Sequence, residues 1–413
     1  MKRPRSQSAR RLAKPACNPN LWLLDPKITF LNHGAFGACP RAVLEFQQKL
    51  RDRLERQPLE FLVRDLEPLL DEARSELADF VKADAEDLVF ISSATAGVNT
   101  VLRSLRFQRG DELLVTDHEY NACRNVLNFV AERSGARVVA ARVPFPLRSA
   151  DEIVEAVLRR LTRRTRLALL DHVTSQTGLI FPVEQLVREL SAHGIETLVD
   201  GAHAPGMLPL NLKKLGATYY TGNCHKWLCA PKGTGFLHVR RDWQKTIRPL
   251  VISHGANSPR ADRSRFLLEF GWTGTWDPSA YLSVPAALKY IGSRLRGGWP
   301  EVMRRNHALA VTARKIICGA LGLEPPCPDE LIGSLAAIPL PDAARHLLPK
   351  PPLFLDPLQD KLLRDYAIEA PIIPWPTWPK RVLRIATQLY NSLPQYERLA
   401  GALVETLRPL KPG

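Results

Sequence analysis

The 413-residue sequence lacks the patterns that mark several classes of protein. No apolar run approaches the roughly 20 residues that a membrane-spanning helix needs, so the chain is not predicted to be embedded in a membrane. The seven cysteines are odd in number, widely spaced and never arranged as CxxC. This pattern argues against a disulfide framework or a zinc site, so no metal is expected, and it favours a reducing cytoplasm.

Acidic residues are outnumbered, with 42 Asp and Glu against 57 Lys and Arg, which gives a net charge of +15. An excess of this size can indicate a nucleic-acid partner. The basic residues are scattered, however, and no RNA-reading motif is present, so an anionic small-molecule ligand is the simpler explanation. The exception is residues 1–14, which hold six basic residues and no acid. This composition predicts a basic, disordered tail over residues 1–20, without the apolar segment of a secretory signal.

What the sequence does contain is a long alternation of strand-like and helical segments. Apolar, β-branched runs separated mostly by helical periodicity are typical of a mostly parallel sheet with helices on both faces. The predicted fold class is therefore α/β, with a seven-stranded sheet flanked by helices. The predicted strands are 88–91, 112–116, 137–143, 166–173, 195–200, 217–222 and 233–239.

The pattern changes near residue 280. Helical periodicity over 281–296 and 301–321 is followed by strand-like runs near 333–340 and 381–387 and a terminal helix near 395–408. We therefore predict a large α/β domain over residues 21–280 and a smaller α+β domain over residues 281–413. Residues 21–40 could belong to either domain.

Ligands of open parallel sheets bind at the carboxyl ends of the strands, and three predicted strand ends carry polar residues. Small residues at 92–97 follow the first strand and open a helix, where free N–H groups can hold a phosphate. Asp200 ends another strand, and His225 and Lys226 follow the next one. Each motif alone has a structural alternative, because serine, threonine and aspartate also cap helices.

Together the three motifs predict a pyridoxal 5′-phosphate (PLP) site. A lysine between apolar segments loses charge readily, and as a neutral amine it can form a Schiff base. Lys226 follows Asp200 by 26 residues. In such a site the lysine holds the cofactor and shuttles a proton. The acid keeps the pyridine nitrogen protonated, so that the ring withdraws electrons from the substrate α-carbon.

The chain resembles class V aminotransferase-fold (fold type I) PLP enzymes, and within them the isopenicillin N epimerase-like branch. The similarity runs from about residue 20 to the C-terminus. The motifs that carry it are FLNHGAFGACP (30–40), SSATAGVN (92–99), TDHEYNA (116–122), HVTSQTG (172–178), DGAHAPG (200–206), GNCHKWLCAPKGTGF (222–236), EFGWTGTWDPSA (269–280) and RIATQLYN (384–391).

The resemblance implies roles for individual residues around the cofactor. Lys226 would form the Schiff base, Asp200 would pair with the pyridine nitrogen, and His203 would lie near the 3-hydroxyl group. Tyr120 would stack on the ring, with His118 as the alternative. The remaining implied cofactor contacts are Ala94, Thr95, Asn223 and His225 at the phosphate, Ser175 near the 3-hydroxyl group, and Thr275 at the phosphate of a neighbouring subunit.

For the substrate, the resemblance implies that Arg384 binds the α-carboxylate through its planar guanidinium. Asn32 and His33 could line the substrate entrance, although turn formation explains them equally well. An amino acid or amino-acid-like amine is the implied substrate. Because Thr275 would reach another subunit, the implied assembly is a homodimer with shared active sites.

The resemblance leaves the reaction open. An epimerase is the leading hypothesis, a β-lyase that cleaves a carbon–sulfur bond is the second, and an aminotransferase is the third. Cysteine desulfurases need a nucleophilic cysteine shortly before the carboxylate-binding arginine, but residues 331–384 contain none. A basic nucleic-acid-binding protein that has lost catalysis is the non-enzyme alternative, and the intact pair of Asp200 and Lys226 argues against it.

Overall fold

The computed structural model describes residues 12–344, 348 and 355–407. Its centre is a seven-stranded sheet in the order β2-β8-β7-β6-β5-β3-β4. All neighbouring pairs are parallel except those that β8 forms with β7 and β2. This confirms the predicted fold class. The strands are β1 (Thr29–Phe30), β2 (Leu88–Ile91), β3 (Glu112–Thr116), β4 (Arg137–Ala141), β5 (Thr165–Asp171), β6 (Glu196–Gly201), β7 (Tyr219–Asn223), β8 (Gly235–Val239), β9 (Leu335–Leu340), β10 (Ile368–Glu369), β11 (Ile372–Pro374) and β12 (Arg381–Ala386).

Helices cover both faces of this sheet, and so the inner strands are buried almost throughout. Near-continuous apolar strands are therefore what this architecture requires. The helices are α1 (His33–Phe36), α2 (Arg41–Arg56), α3 (Leu66–Val81), α4 (Ala94–Ser104), α5 (Asn121–Ser134), α6 (Ala150–Leu158), α7 (Val183–Ala192), α8 (Leu212–Leu215), α9 (Arg265–Gly271), α10 (Ser279–Leu282), α11 (Val284–Gly292), α12 (Gly298–Leu321), α13 (Pro357–Tyr366) and α14 (Leu393–Leu407).

The C-terminal part of the chain builds a separate three-stranded sheet in the order β11-β12-β9, in which both pairs are antiparallel. Helices α12 and α14 pack against each other beside it. The segments predicted as α+β therefore have that composition, and the domain boundary near residue 280 stays a prediction.

The N-terminal segment lies against the C-terminal part of the chain. Strand β1 pairs in parallel with β10, and the N–H groups of Ala16 and Cys17 both donate to the carbonyl of Leu389. Leu12 is buried. The predicted disordered tail over residues 1–20 is therefore wrong for residues 12–20, because apolar burial and backbone hydrogen bonds hold them in place. Residues 1–11 of that prediction lie outside the described residues.

None of the helices within the described ranges combines the length and the apolar character needed to cross a bilayer.

Candidate active site

Four strands of the large sheet end at one edge, around a cavity. Strands β5, β6 and β7 are parallel neighbours, and β2 runs in the same direction because both β2 and β7 are antiparallel to β8. The cavity is lined by Ala35, Phe36, Ser93, Ala94, Thr95, Tyr120, Asp171, Val173, Ser175, Asp200, Ala202, His203, Asn223, His225 and Lys226. The topology thus brings residues distant in sequence to one place.

One end of the cavity is built by the N-terminus of α4. Ser93 caps this helix by accepting a hydrogen bond from the N–H of Ala96, and Asn223 Oδ1 accepts the N–H of Ala94 at 2.8 Å. The N–H of Gly97 donates to the Ser93 carbonyl. Thr95 is then the first-turn residue whose N–H has no acceptor among the described groups. An anion at this end would meet a free donor and the positive end of the helix.

His225 lies at the same end, but its contact restricts what it can do. Its Nδ1 is 3.0 Å from the carbonyl oxygen of Thr234, which can only accept, so Nδ1 carries the proton. Burial lowers the pKa of this imidazole to about 4. The neutral ring therefore has an unprotonated Nε2, and it can donate to a phosphate there only after it takes up a proton.

The opposite end of the cavity is acidic. Asp200 is buried at the end of β6, where its Oδ1 accepts the N–H of Ala202 at 2.9 Å and its Oδ2 accepts the thiol of Cys123 at 3.2 Å. Asp171, at the end of β5, is its cross-strand partner. The Oδ2 atom of Asp171 has no hydrogen-bond partner among the described residues. Burial, and then the charges of Asp200 and Glu119, hold the pKa of Asp171 well above its usual range.

Lys226 lies between these two ends, on the loop that follows β7. Burial lowers the pKa of its amine to about 8, against a smaller opposing effect of Asp200. No carboxylate of the described residues forms an ion pair with it. A buried lysine with this pKa is partly neutral near physiological pH and can act as a nucleophile. The loop is held closely from behind, since a Cβ at Gly37 would lie 1.9 Å from the His225 carbonyl oxygen.

His203 is the neighbour of the lysine amine. Its Nε2 lies 3.1 Å from Lys226 Nζ, and its Nδ1 lies 3.3 Å from the indole nitrogen of Trp227. Burial, followed by the nearby charge of Lys226, holds the pKa of His203 well below its usual range. The ring is therefore neutral in contact with the lysine.

Arg384 lies just behind the cavity wall, on β12. Its Nη1 donates to the carbonyl oxygen of Ser175 at 2.6 Å, and its Nη2 lies 3.4 Å from Asn32 Oδ1. Its Nε has no partner, and no ion pair with a described carboxylate exists. Burial lowers the pKa of the guanidinium to about 10. A buried cation without an acid is costly unless a ligand supplies the negative charge, as an α-carboxylate would.

The two candidates for stacking on the ring occupy different environments. Tyr120 lines the cavity at the N-terminus of α5 and is 44% exposed. His118 is fully buried outside the cavity, where Nδ1 contacts Thr177 Oγ1 at 2.8 Å and Nε2 contacts the Val143 carbonyl at 3.1 Å. Both nitrogens of His118 are therefore already used, and Tyr120 is the ring available to a ligand.

Two predicted site residues lie elsewhere. His33 does not line the substrate entrance: its ring is completely buried beneath the lysine loop, with Nε2 at 3.0 Å from the Lys226 carbonyl and Nδ1 at 2.8 Å from the Tyr390 hydroxyl. Instead of forming a turn, His33 begins helix α1, which directs its side chain inward. Thr275 is exposed on the loop between α9 and α10, and it does not line the cavity.

The residues present fit PLP. The cavity is lined by an anion-binding helix terminus, by a buried acid and by a lysine that forms no ion pair with a described carboxylate. These are the three groups that the phosphate, the pyridine nitrogen and the aldehyde of PLP require. Asn32 is behind the wall rather than on it, through its contact with Arg384.

Sequence reasoning missed three residues of this site: Asp171, Cys123 and Trp227. Asp171 lies inside the predicted strand 166–173, and only the observed end of β5 at Asp171 makes it a strand-end acid like Asp200. Nothing in the sequence links Cys123 to Asp200, because the contact joins a helix to a strand 77 residues later. Trp227 directly follows Lys226, but its indole contact with His203 depends on the loop conformation.

Comparisons with known proteins agree with this geometry. The family model described as aminotransferase class-V matches residues 41–326. The chain is 37% identical over 396 residues to the isopenicillin N epimerase of Amycolatopsis lactamdurans, covering 92% of this chain and 96% of that protein. It is 31% identical to a probable chloroplastic L-cysteine desulfhydrase of Arabidopsis thaliana, covering 92% and 83% of the two chains. A solved cystine C–S lyase in complex with cysteine persulfide superposes with a TM-score of 0.76 at 21% identity, over 92% of this chain and 98% of that one.

Proposed function

The chain belongs to the class V aminotransferase family, and from this we propose that it is a PLP-dependent epimerase of an amino acid or amino-acid-like amine. The observation that carries the proposal is the pair of buried cations without acids, Lys226 at the cavity and Arg384 just behind its wall. Lys226 provides an amine that can lose its proton, and Arg384 provides a site for a carboxylate. The relatives named isopenicillin N epimerase, at 37% and 35% identity, favour epimerisation.

The residues of the chain divide the work. We propose that Thr95 at the N-terminus of α4 donates to the phosphate, next to Ala94, whose own N–H is held by Asn223 and so fixes the helix terminus. Asp200 holds the pyridine nitrogen, and Cys123 keeps this carboxylate oriented. When bound, PLP supplies an electron sink for the negative charge that develops at the substrate α-carbon.

At the reacting end, Lys226 takes the α-proton as a general base. Its lowered pKa of about 8 lets the neutral amine exist near neutral pH while the ammonium form can still return the proton. Arg384 fixes the carboxylate, and so the α-carbon has one orientation relative to the lysine. To bind bidentately, its guanidinium must exchange its contact with the Ser175 carbonyl for the ligand. Tyr120, His203, Ser175 and His225 complete the proposed set around the cofactor.

A β-lyase that cleaves a carbon–sulfur bond is the second candidate. It is favoured by the relatives named L-cysteine desulfhydrase at 31% identity. Both reactions begin with removal of the α-proton, so the same Lys226 and Arg384 serve either of them. They differ in the next step, because an epimerase returns the proton to the other face, whereas a lyase expels the β-substituent.

The test uses the PLP-loaded protein in deuterium oxide with a panel of L- and D-amino acids and cysteine conjugates, followed by NMR. An epimerase gives α-deuteration and the opposite enantiomer. Pyruvate with ammonia would reject epimerisation in favour of the lyase, and a keto acid formed in one turnover would favour an aminotransferase. No exchange by the wild type with any substrate would leave Lys226 without a catalytic role and would count against all three reactions.

A borohydride experiment tests the lysine itself. Reduction followed by peptide mapping is expected to place PLP on Lys226. Lys232 is the control, because it is an exposed lysine on the same loop and donates to the Gly37 carbonyl at 3.0 Å. Lys226→Ala is expected to abolish both the labelled peptide and the visible absorption of the bound cofactor, whereas Lys232→Ala retains them. Labelling at Lys232 would contradict the assignment.

We further propose a homodimer in which Thr275 reaches the phosphate of the partner's site. Its exposure on a loop supports this, as does the exposed apolar run of Leu250, Val251 and Ile252. Sedimentation should give twice the chain mass, and Val251→Asp should give monomers. A monomeric wild type would reject the shared site.

The seven unpaired cysteines support a cytoplasmic location, which fractionation of the source cells would test.

A further inference from the structure

Three side chains form a hydrogen-bonded row behind the proposed cofactor site. The indole N–H of Trp227 donates to His203 Nδ1 at 3.3 Å, and His203 Nε2 lies 3.1 Å from Lys226 Nζ. Trp227 and His203 are 1% and 2% exposed. Both rings are therefore nearly closed to solvent, and these two contacts are the polar contacts of the His203 ring among the described residues.

The first contact determines which ring nitrogen carries the proton. An indole nitrogen is a donor only, so His203 Nδ1 must be the acceptor and cannot carry a hydrogen. A neutral imidazole then has its proton on Nε2. That atom faces the lysine amine, whose nitrogen accepts a hydrogen bond only when it is unprotonated.

The surroundings of His203 oppose a second proton on its ring. Burial has the largest effect, and Lys226, Arg384, His225 and His33 add to it, so that the pKa of His203 lies well below its usual range. Asp200 and, to a smaller extent, Cys123 raise the pKa of the adjacent Lys226. A cationic ring would also place two donors, Nδ1–H and the indole N–H, against each other.

We propose that Trp227 holds His203 in the single tautomer with the proton on Nε2, so that His203 donates a hydrogen bond to Lys226 and is not its proton acceptor. Trp227 is then a positioning residue for the lysine. The effect is to favour the neutral amine, which is the form that attacks a carbonyl and removes a proton. The inference rests on the proposed function in one respect, namely that Lys226 is the reactive lysine.

The opposite tautomer would have the opposite effect. With its proton on Nδ1, His203 would present a lone pair to Lys226 and would stabilise the ammonium form by accepting a hydrogen bond from it. Removing the indole N–H therefore should release the ring to adopt this second arrangement. Trp227→Phe makes that change while retaining an aromatic ring in the same position.

The first experiment is ¹⁵N NMR of the full-length chain labelled at histidine, with PLP removed and with PLP bound. The His203 signals are assigned by their loss in His203→Leu. We expect a protonated Nε2 and an unprotonated Nδ1 from pH 6 to 8, and a protonated Nδ1 in a substantial fraction of Trp227→Phe. A protonated Nδ1 in the wild type would overturn the proposal, even if the Trp227 variant does not fold.

The second experiment separates positioning from packing. The rate at which the apo chain takes up PLP is measured against pH, which follows the neutral fraction of Lys226. Trp227→Phe should move the midpoint upward by roughly one pH unit, since hydrogen bonds to charged groups are the stronger ones. In the His203→Leu background the same substitution should cause no shift. An equal shift in both backgrounds would mean that Trp227 acts through packing alone.

The two proposals can fail separately. The tautomer of His203 is read from the ring itself and needs neither substrate nor turnover. Failure of borohydride to trap PLP on Lys226 would reject the proposed function and leave the tautomer measurable. Conversely, an active enzyme with a protonated Nδ1 would reject only the role given to Trp227.

Discussion

Strand β12 carries two arginines with largely buried side chains and opposite surroundings. Arg381 donates from Nη1 to both carboxylate oxygens of Asp356, at 3.0 and 3.1 Å, and this carboxylate is fully buried. Arg384, three residues later, has a carbonyl, a hydroxyl and an amide oxygen around it but no ion pair with a described carboxylate. An odd separation along a strand places the two side chains on opposite faces, one toward α13 and one toward the cavity.

The difference separates a cation that has its counter-charge within the fold from a cation that we propose binds the carboxylate of a ligand. A buried charge whose partner is built into the protein costs little once the pair is formed, whereas a buried charge without a partner has a standing desolvation cost. Arg314 follows the first pattern, with Asp329 at 2.6 Å. Arg384 and Lys226 follow the second. Burial alone therefore does not separate the two kinds of cation, whereas the presence or absence of an acidic partner does.

Asp356→Asn should have the largest effect on stability. The amide keeps the N-terminal cap of α13, where Asp356 Oδ1 accepts the N–H of Leu358, but it leaves Arg381 without a counter-charge. We expect the free energy of unfolding to fall by about 4 kcal/mol, measured by urea denaturation. The double substitution Arg381→Met with Asp356→Asn should recover most of the loss. If the single variant were as stable as the wild type, the contrast between the arginines would be lost.

Arg384→Met should reduce activity strongly without reducing stability. Removing an uncompensated buried charge is expected to leave the unfolding free energy equal or higher. The loss of the carboxylate site should reduce kcat/KM by about 10²-fold, equivalent to about 3 kcal/mol. Arg384→Lys is the control, since it keeps a charge without the planar fork, and it should recover only part of the activity. A large loss of stability in Arg384→Met would place this residue with Arg381 instead.

The features that could be predicted from the sequence are those that depend on neighbouring residues in the chain. Periodicity placed strands at 88–91 and 112–116 with the bounds that the structure has. These elements are defined by local apolar patterns. The strand ends with Asp200 and Lys226 were accessible for the same reason, since a polar residue after an apolar run is itself a local signal.

The environment of each residue could not be predicted, because it depends on contacts between distant segments. His33 is followed by glycine, as in a turn, yet its partners Lys226 and Tyr390 lie 193 and 357 residues away. His118 and Tyr120 are two residues apart, and only the packing of Thr177 and Val143 against His118 separates their roles. The sequence does not distinguish Arg381 from Arg384. The acidic partner of Arg381 lies 25 residues away in the chain, and no sequence pattern shows that Arg384 lacks such a partner.

Lys226 extends the comparison to pH. Its folded pKa of about 8 lies below the ordinary 10.5 of a lysine, so the unfolded chain binds more protons between these values and stability rises with pH there. Burial of the ammonium form lowers the free energy of unfolding by its full amount below pH 8, and this loss disappears above about pH 10.5. The apo wild type, measured relative to Lys226→Met, should gain about 2 kcal/mol between pH 8 and 10. Parallel stability curves for the two chains would contradict this.

Asp171→Asn should have the smallest effect, although Asp171 is almost as buried as Asp356. Asp171 has no cation, and burial beside Asp200 and Glu119 holds its pKa well above the usual range. The raised pKa favours the neutral carboxyl group, and an amide is a neutral replacement of the same shape. We expect kcat/KM to change by less than about fivefold, the value of one neutral hydrogen bond, and the unfolding free energy at pH 7 not to fall. Asp200→Asn is the matched variant and should lose far more activity, because the pyridine nitrogen needs a negative charge. If Asp171→Asn lost as much activity as Asp200→Asn, the two carboxyl groups would have to share one negative charge. Both would then act together on the pyridine nitrogen.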